Sequence, residues 1–200
     1  MQIVETNIQF KGALSHRKTT KRAIIHHSAS ADVSASTIHG WHLGNGWSGI
    51  GYHFIIRKDG TIERGRPEWA IGSHSGPKGN GDSIGIVLTG NFETGEPTAA
   101  QMNALVWLLN DYLFVKYGEL KVIGHKDVMP TACPGKLFPW DELRKRLEED
   151  TVAEHWKEKL VDDAIEVGLI TERHNPDETA AKWFVLAVAM NLLKAVRGGK

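Results

Sequence analysis

Cys133 is the only cysteine of the chain, and His125 stands eight residues before it in GHKDVMPTACPG. Pro130 and Pro134 force this segment into a loop, which can curl to bring the sulfur to the imidazole. The plainer alternative is a buried structural cysteine, the commoner fate of a free thiol. A second imidazole comes from RAIIHH, residues 22–27. Adjacent side chains on a strand point to opposite faces, so only one of His26 and His27 can join a given site. The other belongs to the core or behind the site. Two imidazoles and one thiolate would hold a tetrahedral zinc with one position open, the pattern of a catalytic site. Zinc lowers the pKa of a water in that position to about 7, which supplies hydroxide at neutral pH.

The elements that must position these groups alternate along the chain. Residues 22–27 read as a buried strand, and 34–42 as a short helix ended by the Gly-rich stretch 44–49. Residues 51–57 and 61–64 read as strands joined at Lys58-Asp59-Gly60, where Asp-Gly signals a type I′ hairpin. Residues 72–83 read as a long loop, and 83–89 as a further buried strand. Thr98 and Gln101 fit a capping box. Met102, Leu105, Val106, Leu109 and Leu113 follow at helical spacing, and Gly118 ends the run. Residues 121–125 are strand-like, and 139–149 form a charged helix with Leu143 and Leu147 on one face. Strands interleaved with helices give an α/β or α+β domain over 1–150, with a mostly covered sheet.

Two further helices are expected in 151–200. Val152, Trp156, Leu160, Ala164 and Val167 form one stripe, with Gly168 as its C-cap. Asn175-Pro176-Asp177-Glu178 has the residues of a second N-terminus. Residues 183–193 are apolar nearly all round and must pack on something.

Composition narrows the function. The 200 residues carry 24 Lys plus Arg and 24 Asp plus Glu, and hydrophobic residues make up 41%. Residues 1–150 hold 17 basic and 16 acidic residues, and 151–200 hold 7 and 8. Neither part has the basic excess of a nucleic-acid binder or a polybasic membrane anchor. One cysteine excludes an intramolecular disulfide framework. The densest apolar run, 183–190, has eight residues, far short of the roughly 18 of a membrane span. The first twenty residues lack an apolar run of signal-peptide length. The expectation is a protein made in the cytoplasm that reaches any outside target after release.

Four motifs carry a resemblance. IIHHSAS, GIGYHFIIRKDGTIERGR, WAIGSHSGPKGNGDSIGIVLTGNF and GHKDVMPTACPG occur in this order. Together, over residues 21–147, they resemble the type 2 N-acetylmuramoyl-L-alanine amidases, a family that includes phage amidase-type lysozymes and the peptidoglycan recognition proteins. The resemblance implies an α/β fold, a mixed central sheet flanked by helices, with zinc in a groove on one face. It implies hydrolysis of the amide between N-acetylmuramic acid and L-alanine of peptidoglycan. By position, His26, His125 and Cys133 match the zinc ligands, Tyr52 a catalytic tyrosine, and His74 a position near the groove that could contact glycan or stem peptide.

Two positions depart from many relatives. Thr131 stands where some members have lysine and others threonine; its hydroxyl could help a developing oxyanion or merely cap the loop. Asp82 stands where many have asparagine. His27, His39, His42, His53, His155 and His174 take structural roles in this reading. Trp41, Trp47 and Trp69 could line a sugar groove, with core or rim packing the plainer expectation. The tail is similar to helical segments appended to amidases of phages infecting Gram-positive bacteria, and to half of a surface-layer-type wall-binding module. That implies wall binding; a helical hairpin that packs on the catalytic domain or makes a homodimer is the alternative.

Overall fold

The computed structural model describes residues 1–166, 168, 170 and 189, with side-chain surroundings left out for 150–160. Strands β1 (Ile3–Val4), β2 (Arg22–His27), β3 (Phe54–Ile56), β4 (Ile62–Arg64), β5 (Ser83–Leu88) and β6 (Lys121–Gly124) form one sheet. Its order is β1-β4-β3-β5-β2-β6. Only β3 and β4 pair antiparallel. The neighbouring strands β5 (SIGIVL) and β2 (RAIIHH) are buried over all or most of their length, as parallel strands covered on both faces require.

Helix α1 (Ala35–Gly44) packs Ala35 and Ile38 on Ile50, Ile55 and Val87 at one face. On the other side, Phe54 meets Tyr112 at 6.0 Å between ring centroids. Tyr112 belongs to a π-helical turn (Leu108–Phe114) lying between α3 (Ala99–Trp107) and α4 (Val115–Tyr117). The capping box at Thr98 and Gln101 is formed, and Gly118 at φ 76° ends the run. Buried Gln101 also donates to the Ile56 and Thr89 carbonyls, tying this helix to the ends of β3 and β5.

Several local expectations change. The strand at 51–57 shrinks to β3. The hairpin is not type I′: Gly60 alone in the turn has positive φ, 88°. Arg57 N–H bonds Thr61 O and Gly60 N–H bonds Arg57 O, so three residues make the loop. Asp59 stays outside the left-handed region because its carboxylate accepts Thr61 N–H at 2.8 Å. The loop at 72–83 contains a short helix, α2 (Gly76–Asn80). The helix expected at 139–149 and the one expected after it form one helix, α5 (Trp140–Glu166), with Val167 outside the described residues. Gly168, at φ 71°, follows it as expected. The elements expected at 175–178 and 183–193 lie outside the described residues. By compactness the chain divides into Met1–Arg144 and Lys145–Lys200. Every candidate site residue lies in the first unit.

Candidate active site

Parallel neighbours end their strands at the same edge of a sheet, and ligand sites form at that carboxyl end. Here β2 and β6 pair with Ile25 opposite Gly124. The next residues, His26 and His125, therefore emerge side by side, with ring centroids 4.6 Å apart. His125 opens a 3-10 turn (His125–Asp127), in which Asp127 accepts Gly124 N–H at 2.8 Å. Lys126 N–H then bonds Cys133 O at 2.9 Å and closes the loop back on its start. That closure sets Cys133 Sγ 3.6 Å from His26 Nδ1. One ligand atom each from His26, His125 and Cys133 lies within 4.8 Å of the others. Tetrahedral zinc with bonds of about 2.0–2.3 Å separates its ligand atoms by roughly 3.3–3.6 Å.

The electrostatics suit a cation with soft ligands. Burial, with His125 as a secondary influence, holds His26 well below the ordinary histidine range, so it is a neutral imidazole with a free lone pair. Burial also lowers His125 and pushes the Cys133 thiol up to about 11. A thiol so placed becomes a thiolate only beside positive charge. His125 Nε2 is buried without a hydrogen-bond partner. Such an orphan costs about 1–3 kcal/mol unless something binds it. An orphaned nitrogen, a facing thiol and a second neutral imidazole fit zinc.

Tyr52 reaches the same place from the residue before buried His53, its ring 5.0 Å from that of His26. Burial keeps its phenol protonated far above neutral pH. Thr131 is exposed, and its Oγ1 accepts Cys133 N–H at 3.2 Å, the loop-capping contact. His74 is buried. It is 8% exposed, and its Nδ1 lies 2.9 Å from His26 Nε2. What the ring touches directly is a metal-ligand candidate, with the His26 and His74 ring centroids 4.9 Å apart.

Four other histidines do what the structural reading expected. His27, His39, His42 and His53 each accept a backbone N–H at Nδ1, from Phe92, Ile50, Gly51 and Gly85. His155 and His174 lie outside the described side chains. Core packing fails for the tryptophans: Trp41, Trp47 and Trp69 are 45–47% exposed. Trp69 stacks on His16 at 4.3 Å. Trp47 touches His42, which in turn meets Tyr52 at 5.7 Å. Asp82 is engaged by Arg22.

The family described as N-acetylmuramoyl-L-alanine amidase matches residues 16–136, which include His26, Tyr52, His74, His125, Thr131 and Cys133. The chain belongs to that family. This amidase is 41% identical over 150 residues to the endolysin of Klebsiella phage KP32, a match spanning 70% of this chain and 97% of that protein. It is 36% identical over 135 residues to peptidoglycan-recognition protein SC2 of Drosophila melanogaster, with 61% and 71% covered. Among solved structures, it resembles the N-acetylmuramoyl-L-alanine amidase LysC from Clostridium intestinale URNW. The TM-score is 0.70 at 42% identity, covering 74% of this chain and 98% of that one. The mixed sheet flanked by helices is thus the fold of the family. What sequence reasoning missed in this amidase is the placement of His74. A signal was present: Gly85 interrupts the buried strand SIGIVL, and glycine inside a strand marks a close approach.

Proposed function

We propose that this amidase is zinc-dependent, cleaves the bond between N-acetylmuramic acid and L-alanine in peptidoglycan, and serves as a phage or prophage endolysin. The observation that carries the reading is the convergence of His26, His125 and Cys133 at one strand edge, with the Tyr52 ring beside them. These three residues would hold the zinc. When bound, the ion polarises the scissile carbonyl and activates water for attack. Tyr52, kept protonated by burial, donates its hydroxyl hydrogen to the oxygen that gains charge as the carbonyl becomes tetrahedral. The C–N bond then breaks as the nitrogen takes up the proton given up by the attacking water, and the peptide leaves with a free L-alanine amine. Thr131 holds the Cys133 backbone and so the ligand loop.

Binding to peptidoglycan without cleavage needs no thiol, and the placement of Cys133 against His26 favours hydrolysis over it. No described helix is long and apolar enough to cross a membrane, which accords with a protein acting on the wall after release. The phage KP32 relative is almost wholly matched, yet 70% of this chain suffices to match it. Residues 151–200 lie beyond the family match at 16–136, and we assign them to wall binding, with pairing of two chains as the alternative. Pull-down on purified walls and light scattering, with and without this segment, separate the two roles.

Digestion of purified cell wall tests the activity. New L-alanine amino groups without new reducing sugars are expected. New reducing ends without new amines would make the protein a glycosidase, which instead needs a carboxylate pair about the glycosidic oxygen.

A further inference from the structure

The buried groups behind His26 form a hydrogen-bond chain with a fixed direction. It begins at the Gly79 carbonyl, which can only accept. Ser83 Oγ lies 2.6 Å from that oxygen, so the Ser83 hydroxyl hydrogen points there. Toward its other neighbour, His74 Nε2 at 3.4 Å, Ser83 Oγ must then accept. His74 therefore carries its proton on Nε2 and a lone pair on Nδ1. That lone pair accepts from His26 Nε2–H at 2.9 Å. With its proton committed to Nε2, His26 presents the Nδ1 lone pair, which faces Cys133 Sγ at 3.6 Å. The opposite tautomer would aim an N–H at the same point and repel a cation.

The His74 ring is also held in place. It lies directly against Gly72 and Gly85: a Cβ at either would come within 2.5 Å of His74 Cδ2. Any side chain at these two positions would dislodge it. Asn80 accepts both His74 N–H and Ser75 N–H, at 2.9 and 2.8 Å, which fixes the backbone beneath the ring. Buried His53, pinned by Gly85 N–H, packs edge-on at 5.7 Å.

We infer that His74 is a positioning residue for zinc, which selects the His26 tautomer through the chain anchored on Ser83 and the Gly79 carbonyl. The inference rests on the zinc reading above and adds to it a group that never touches substrate. Hydrogen-bond partners behind a metal-bound histidine typically carry about 10–100-fold in metal affinity.

The test is a zinc titration of the full chain against a chelating dye, with the melting temperature of each metal-free variant measured beside it. Wild type and Cys133→Ala establish whether the centre binds zinc at all. His74→Leu removes the acceptor, and His74→Asn keeps an oxygen near the place of Nδ1. The dissociation constant should rise about 10–100-fold in His74→Leu. Most of that loss should be recovered in His74→Asn. Ser83→Ala, which leaves the ring in its slot, should weaken zinc in the same direction by less.

Equal zinc affinity in wild type, His74→Leu and Ser83→Ala would overturn the inference while leaving the zinc reading intact. So would an effect of His74→Leu confined to KM at saturating zinc, which would mark a substrate contact. If the metal-free leucine variant does not fold, Ser83→Ala and His74→Asn decide on their own. A wild-type chain that binds no zinc would bring down the metal reading first, and this inference with it.

Discussion

Two buried polar clusters stand in this amidase, and they are built on opposite terms. Around Glu68, 8% exposed, four donors meet two carboxylate oxygens. Arg64 and the Tyr112 hydroxyl bond Oε1; Lys116 and the Tyr117 hydroxyl bond Oε2. Every lone-pair direction of the carboxylate is filled from within the chain. At the ends of β2 and β6, by contrast, the groups are acceptors and soft donors aimed at one another. His125 Nε2 has no hydrogen-bond partner, and Cys133 Sγ faces the lone pair of His26. A cluster that completes itself stabilises the fold, whereas one left short of positive charge is made for a ligand. The two differ in what they would lose, and substitutions should separate them.

The largest effect is expected at the open cluster. Cys133→Ala should abolish zinc binding and wall lysis while the metal-free fold persists, because thiolate is the softest ligand of the set. About one zinc per chain in wild type and none in the variant, by elemental analysis, is the expected pair of values. Full zinc and wild-type rate in the variant would remove the site.

Next in size, Tyr52→Phe should keep zinc and melting temperature but lower kcat by about 10²–10³, the usual cost of one oxyanion donor. A rate within about threefold of wild type would reduce Tyr52 to packing.

The closed cluster should answer in the other currency. Glu68→Leu leaves Arg64 and Lys116 without their carboxylate and should cost about 3 kcal/mol of stability, read by urea unfolding. Zinc content of the folded protein should not change. A change in zinc stoichiometry would mean that the two clusters are coupled.

The smallest effects separate the clusters by pH. Burial holds His53, beside the centre, near a pKa of about 3 against 6.5 when unfolded. The unfolded chain takes the proton first, so this contribution is complete above pH 6.5 and declines from there down to about pH 3. Burial alone would raise Glu68, but hydrogen bonds from Tyr112 and Lys116 and the charges of Arg64 and Lys116 outweigh it and hold it below 4.5. Its contribution is complete above pH 4.5 and is lost below. Each group changes stability by at most about 1.4 kcal/mol per pH unit within its window. Unfolding free energy should therefore begin to fall below pH 6.5 and fall more steeply below pH 4.5, and Glu68→Leu should remove only part of the added steepness.

Much of the site was legible in the residues themselves. Strand alternation separated His26 from His27, and the structure turns His27 to Phe92 as that argument requires. The spacing of His125 and Cys133, with two prolines, described a loop that could close, and it does. The capping box at Thr98 is local chemistry between residues three apart, so sequence alone sufficed for it. The turn at Asp59 was misread because Asp-Gly permits two loop types, and a side-chain bond to Thr61 chose between them. The short helix α2 was hidden among glycines whose local preference is for turns.

Sequence determined the residue types, their order and the alternation that assigns each strand residue a face, because these depend on neighbours along the chain. Tertiary structure decided which of them meet. The pairing of β2 with β6 placed His26 beside His125, across almost a hundred residues of chain. The pairing of β2 with β5 brought Gly85 and Ser83 beneath that edge. Only there could His74 settle against two glycines and donate toward Ser83. No local pattern encodes such a contact, because a hydrogen bond or a close approach between distant residues exists only after the sheet register has fixed where each of them stands.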